Sequence, residues 1–188
     1  MTDVVLFHHA QGLTAGVHAF ADRLRSAGHR VTVPDLYAGA TYETIEAGVA
    51  HAEEIGFGEI TKRGVQAVEH LPEAIVYAGF SLGALPAQKL AQTRPGALGA
   101  ILYAGGIPVS SYSEAWPASV PLQIHLSEQD EWSELDVAQD LTDAAPDGTL
   151  FVYPGSGHLI SDSSLAEYEP ETTELILKRT QDFLARLG

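Results

Sequence analysis

Ser81 stands in the string Gly79-Phe80-Ser81-Leu82-Gly83. A serine hydroxyl attacks a carbonyl only when a base takes its proton and donors receive the charge that develops on oxygen. The string meets part of that need if the apolar run Ala74-Ile75-Val76-Tyr77-Ala78 is a strand and a helix follows from about Leu82 to Thr93. The serine then sits on a sharp strand-to-helix turn with its hydroxyl outward. Its flanking glycines stand where a Cβ would strike neighbouring backbone, and the helix aims free N–H groups at a developing oxyanion. The bare string is common, so the strand before it and the helix after it carry the reading; otherwise Ser81 is an idle residue in a tight turn.

The partners of such a serine follow it in the order acid, then histidine. Of the eight histidines, only His125 and His158 come after Ser81. His125 lies inside an apolar run, Leu122-Gln123-Ile124-His125-Leu126, and reads as a satisfied core or surface residue. His158 closes the flexible turn Gly155-Ser156-Gly157-His158 just past another strand, and is the candidate base. The acid is expected in Ser127-Glu128-Gln129-Asp130-Glu131-Trp132. Asp130, at the tip of a short turn, is preferred to Glu128 and Glu131; its task is to accept the imidazole Nδ1 proton in a hydrogen bond. An oxyanion hole needs two backbone N–H donors. One is the amide of Leu82, and the other comes from His8-His9-Ala10-Gln11-Gly12, where the amide of Ala10 or Gln11 is placed to serve and Ala10 is the candidate. The adjacent His8 and His9 do not read as a metal site, because neighbours on a strand point to opposite faces and no carboxylate cluster joins them.

These residues need a scaffold, and the rest of the chain reads as one. Its 188 residues and 45% hydrophobic content suit a single globular domain over residues 1–188. Short apolar runs alternate with amphipathic stretches. Strands are expected at Val4–Phe7, Arg30–Pro34, Ala74–Ala78, Leu98–Tyr103, Leu122–Leu126 and Thr149–Tyr153. Helices are expected near Val17–Ala27, within 43–70 with a break at Gly56-Phe57-Gly58, at Leu82–Thr93, Glu134–Thr142 and Thr172–Leu187. Continuous apolar strands alternating with helices predict a mostly parallel α/β sheet of about six strands in the order 2-1-3-4-5-6, covered on both faces. Its order reverses between the first and third strands, so the loops 8–16 and 79–84 should flank a crevice. Only residues 104–120 separate the fourth and fifth strands, too few for a cap domain.

Acidic residues outnumber basic ones 25 to 10, for a formal net charge of −15. Such a surface repels polyanions, which argues against nucleic acid or an anionic membrane as partner and leaves a small-molecule substrate. There is no cysteine, hence no disulfide, thiolate metal site or cysteine nucleophile. The first residues carry no basic leader segment and no stretch reaches the length of a spanning helix, so a cytoplasmic protein is expected; no cofactor is expected, and the chain is taken as a monomer or homodimer.

Several segments resemble the dienelactone hydrolase family of the α/β-hydrolase superfamily. They are Leu6-Phe7-His8-His9-Ala10-Gln11-Gly12-Leu13, Val33-Pro34-Asp35-Leu36-Tyr37, the Ser81 string, Asp130-Glu131-Trp132 and Gly155-Ser156-Gly157-His158. The resemblance implies a hydrolase with a nucleophile–Asp–His triad acting on a small ester, thioester or lactone. Ser81 stands where that family has a cysteine, and His9 stands where it has a glutamate that contacts the nucleophile. Leu159-Ile160-Ser161-Asp162 replaces the stretch that holds its substrate-binding arginine, and an aspartate there would repel a dicarboxylate. His9 reads either as a group hydrogen-bonding near Ser81 or as a strand-end side chain. Gln11, Tyr37, Phe80, Tyr112, Trp116, Trp132 and Ile160 are candidate walls or supports of the pocket, the aromatic ones reading equally as packing anchors. A non-catalytic ligand-binding or sensor protein on the same fold is the reading from another functional class.

Overall fold

The computed structural model describes residues Met1–Gly188. Strands β1 (Asp3–Phe7), β2 (Arg30–Thr32), β3 (Val76–Phe80), β4 (Gly99–Tyr103), β5 (Leu122–Ser127) and β6 (Thr149–Tyr153) form one sheet in the order β2-β1-β3-β4-β5-β6. Every neighbouring pair is parallel. Helices α1 (Ala15–Ser26), α2 (Ile45–Ile55), α3 (Phe57–Ala67), α4 (Ala84–Thr93), α5 (Leu135–Ala144) and α6 (Pro170–Leu187) cover it. No helix is long and apolar enough to cross a membrane.

The apolar runs are continuous because successive residues feed two cores. Val5 and Phe7 of β1, Tyr77 of β3 and Leu102 of β4 pack with Ala52, Ile60, Leu90 and Leu141 of α2–α5. Val4 and Leu6, Val76 and Ala78, and Ile101 and Tyr103 pack on the other face with Phe20 and Leu24 of α1 and Phe183 and Leu184 of α6. A period of two on the strands therefore meets helices on both sides.

Some boundaries differ from the sequence reading, each for a physical reason. β3 starts two residues later than the apolar run and ends at Phe80, because its ladder is set by Val4↔Val76 and Phe80↔Tyr103. After it, Ser81–Gly83 make a tight 3₁₀ turn before α4 begins at Ala84. Pro86 thus falls in the first turn of α4, where its missing N–H has no intrahelical acceptor to lose. β2 is a short edge strand of 3 residues. The stretch from Ala104 to Pro121 holds only a 3₁₀ turn, Val109–Ser111, and no cap domain.

Two histidines buried at the sheet are paired at both ring nitrogens. His125 of β5 is buried and stacks beside Tyr103 and Tyr153; its Nε2–H donates to Gln123 Oε1 (2.9 Å), and its Nδ1 accepts from the Tyr153 hydroxyl (2.7 Å). His8, at the end of β1, donates from Nδ1 to the His9 carbonyl (2.7 Å) and accepts the Leu36 amide at Nε2 (2.9 Å). Burial opposes their protonation and brings His8 down to about 4 and His125 to about 3. In the unfolded chain both take a proton near pH 6.5, which the folded protein refuses. Acid therefore favours unfolding below that pH. We expect each to cost about 2 kcal/mol of stability between pH 6.5 and 5. Urea unfolding at pH 7 and pH 5 measures it; equal midpoints would contradict the burial of both as neutral rings.

Candidate active site

The site is built on close backbone approach at the centre of the sheet. A Cβ on Gly79 would lie 2.1 Å from the Gly83 carbonyl oxygen, and one on Gly83 would lie 2.5 Å from that of Phe7 and 2.6 Å from that of His8. Only glycine fits either place. The turn between them holds Ser81 at φ +47°, a left-handed conformation that a residue with a Cβ enters at a cost. Strain and close packing together keep the Ser81 side chain partly exposed above the carboxyl ends of β1 and β3.

His158 reaches Ser81 from the loop after β6. Its Nε2 lies 2.7 Å from Ser81 Oγ, and its Nδ1 lies 2.7 Å from Asp130 Oδ2. Asp130 can only accept, so Nδ1 carries the proton and Nε2 faces the hydroxyl as acceptor. The loop is fixed by two further bonds. The His158 amide donates to Glu167 Oε2 (2.8 Å), and the Ser127 hydroxyl at the end of β5 donates to the Gly157 carbonyl (2.6 Å). Asp130 also accepts the Trp132 amide (2.9 Å) and the Ser133 hydroxyl (2.7 Å). Burial by itself would raise the Asp130 carboxyl. The hydrogen bond and charge attraction of His158, with the Ser133 and Trp132 bonds, outweigh it and hold the group below its ordinary range. Glu128 and Glu131, the alternative acids, lie exposed on either side of this turn.

The loop after β1 carries His9, Ala10 and Gln11, all buried. His9 makes no hydrogen bond to Ser81 and is not a loose strand end. Its Nε2 lies 2.7 Å from Asp162 Oδ2, and its Nδ1 accepts the Gln11 amide at 3.2 Å. The Gln11 side chain donates to the Tyr42 and Glu43 carbonyls (3.2 and 3.1 Å) and ties this loop to the segment before α2. Asp162 also accepts from the Thr14 hydroxyl and from the Ser164 amide and hydroxyl (2.8 and 2.5 Å). Burial raises its carboxyl, but the His9, Ser164 and Thr14 bonds bring it down to about 2. The expectation that Asp162 would meet an anionic substrate is corrected: it is buried, faces His9, Thr14 and Ser164, and does not line the open cleft.

The candidate walls divide. Trp116 is core: its indole N–H donates to the Val120 carbonyl (2.6 Å). Tyr37 is buried, with its hydroxyl bonded to the Gly48 carbonyl (3.3 Å) and its ring edge-on to His8 (5.1 Å between centroids). Phe80 stacks on Tyr103 (4.6 Å), Ile160 packs in the α1/α6 core, and Tyr112 is half-buried with the Lys89 ammonium 5.3 Å from its ring centre. Phe80 and Ile160 do line a void of about 20 Å³ behind His158. Of the six, Trp132 is the one on the open surface beside His158: it is 49% exposed, its ring centroid is 6.3 Å from that of His158, and it lines a cleft of about 330 Å³. That cleft is completed by Ile45, Gln129, Glu131, Ser156, His158 and Glu167, and has no lysine or arginine. Sequence reasoning missed Ile45 and Glu167. Neither belongs to a motif: Ile45 comes from the start of α2, and Glu167 from the far end of the loop that carries His158.

Among solved structures, the chain is similar to a dienelactone hydrolase from Anabaena variabilis, at 19% identity and TM-score 0.73 over 99% of this chain and 87% of that one. It is also similar to a dienelactone hydrolase-like promiscuous phosphotriesterase from metagenomic libraries (14%, 0.74, 100% and 87%) and to mouse alpha/beta hydrolase domain-containing protein 10 (15%, 0.71, 99% and 90%). These likenesses establish the α/β-hydrolase fold. None of the curated proteins matches the chain. The sequence profile of the dienelactone hydrolase family matches residues 1–188, and with that match across its length the chain belongs to the dienelactone hydrolase family.

Proposed function

We propose that the protein is a serine hydrolase that cleaves a small ester, thioester or lactone of neutral or cationic character through an acyl-enzyme on Ser81. The observation that carries this reading is the continuous hydrogen-bonded line from Ser81 Oγ through His158 to Asp130, with both links at 2.7 Å. His158 Nε2 takes the proton as Ser81 Oγ bonds to the carbonyl carbon. The amides of Leu82 and Ala10 receive the oxyanion. As the tetrahedral species collapses, the bond to the leaving oxygen or sulfur breaks and His158 returns the proton to it. Water then adds to the acyl carbon, again giving its proton to His158. Loss of the acid product restores the Ser81 hydroxyl. Asp130 holds the imidazole in the Nδ1–H tautomer and stabilises its cationic form.

Substrate charge follows from the cleft. Glu131 and Glu167 line it, no lysine or arginine does, and the whole chain carries a formal charge of −15. An anionic acyl or alcohol group beside them is repelled. The open cleft and the absence of a cap favour a short substrate over a long acyl lipid.

Ser81→Ala should abolish labelling by a fluorophosphonate probe and lower kcat on short nitrophenyl esters by ~10⁴-fold or more. Wild-type protein that hydrolyses these esters without being labelled would contradict the reading. Wild-type protein that is folded but inert toward the whole panel would point to the ligand-binding alternative. In a matched series of neutral, cationic and carboxylate-bearing esters, kcat/KM should be lowest for the anionic member. The gap should narrow at high salt, and Glu131→Lys should raise turnover of that member several-fold. Equal kcat/KM across the series at low salt would remove the electrostatic argument.

A further inference from the structure

The loop after β1 offers a row of backbone amides beside the elbow, and the structure treats them differently. The Gly12 amide donates to the His9 carbonyl (3.0 Å), and the Gln11 amide donates to His9 Nδ1 (3.2 Å). The Ala10 amide has no acceptor in the protein. Its direction is set from behind. The His9–Ala10 peptide is planar and trans, so this N–H points opposite to the His9 carbonyl. That carbonyl is held by both the Gly12 amide and His8 Nδ1–H (2.7 Å). The next peptide is clamped too: its carbonyl, on Ala10, lies so close to α2 that a Cβ on Gly48 would be 2.2 Å from it.

The Gln11 bond depends on which nitrogen of His9 carries the proton. An imidazole nitrogen accepts an amide N–H only through a free lone pair, so Nδ1 must be bare and Nε2 protonated. Asp162 enforces this. Its Oδ2 faces His9 Nε2 at 2.7 Å, and its other oxygen is occupied by the Ser164 amide (2.8 Å) and hydroxyl (2.5 Å). His9 and Asp162 are 0% and 3% exposed, and neither bonds to Ser81. A buried imidazole–carboxylate pair is weak evidence of a contribution to stability.

We propose that His9 and Asp162 are positioning residues for the oxyanion loop. Asp162 selects the Nε2–H tautomer of His9, His9 Nδ1 holds the Gln11 amide back, and the neighbouring Ala10 amide is left without an acceptor beside the elbow. The inference rests on the acyl-transfer reading of Ser81 for its effect on rate. The tautomer itself is independent of that reading.

Asp162→Asn separates the parts. The Ser164 backbone N–H can only donate, so the amide oxygen of residue 162 must stay on that side, and its NH₂ then faces His9. His9 is forced to the Nδ1–H form, which sets two N–H groups against each other at Gln11. We expect ¹⁵N NMR to show His9 protonated at Nε2 in the wild type and at Nδ1 in Asp162→Asn. In that variant kcat should fall about 10- to 100-fold with KM little changed, less than the loss of a whole oxyanion donor because the amide is misdirected rather than removed. In the wild-type background, His9→Asn places an acceptor near Nδ1 and should retain most of kcat. His9→Gln keeps the link to Asp162, leaves the Gln11 amide free, and should lose rate like Asp162→Asn. These two variants keep the test decisive if Asp162→Asn does not fold. An Nδ1–H form of His9 in the wild type would overturn the proposal. So would wild-type kcat in folded Asp162→Asn, or activity retained by His9→Gln and lost by His9→Asn. The spectra need no substrate, so a failure of the acyl-transfer reading would leave the tautomer result standing.

Discussion

The whole arrangement depends on how closely the end of β1 and the start of α4 approach each other. The carbonyls of Phe7 and His8 press on Gly83, with no room for a Cβ between them. That contact exists because β1 and β3 are neighbours at the centre of the sheet, where the strand order reverses. It sets the turn that carries Ser81 against the loop that carries Ala10. A substitution at Gly83 would force the two apart and, in the proposed mechanism, separate the nucleophile from one of its charge-stabilising amides without touching either directly.

The two buried carboxylates near the site serve different ends by the same physics. A buried acid must be compensated by donors or lose its charge. Asp130 accepts one such bond from the imidazole of His158, the proposed base. Asp162 accepts one from the imidazole of His9, which does not bond to Ser81 and instead holds the Gln11 amide. Both keep the anionic form, and each fixes one tautomer of its histidine. The carboxylates that line the cleft are those of Glu131 and Glu167, the second of which also holds the His158 amide.

Much of the scaffold was legible in the sequence because it follows from periodicity. Val4-Val5-Leu6-Phe7 has no polar face, so a strand there must be covered twice, and strands covered on both sides are parallel and joined by helices. The elbow was legible because its glycines mark a steric requirement. The two-residue offset of β3 was not, since an apolar run does not say where a ladder begins. The pocket walls were the least legible. An aromatic residue at the carboxyl edge can turn outward, as Trp132 does, or inward, as Tyr37 and Trp116 do, and the choice is made by backbone acceptors such as the Gly48 and Val120 carbonyls, whose place only the folded chain fixes. The same holds for the His9–Asp162 contact, which joins positions 153 residues apart. His8 and His9 invited a metal reading as neighbours, but one turns to the Leu36 amide and the other to Asp162.

The most direct test of the account is rapid-quench mass spectrometry of the protein mixed with excess nitrophenyl acetate. The account predicts a burst of about one nitrophenolate per chain and a transient acetyl group on the peptide that contains Ser81, formed before steady turnover and cleared as water deacylates it. Steady turnover with no acyl adduct, or an adduct confined to another residue, would contradict it.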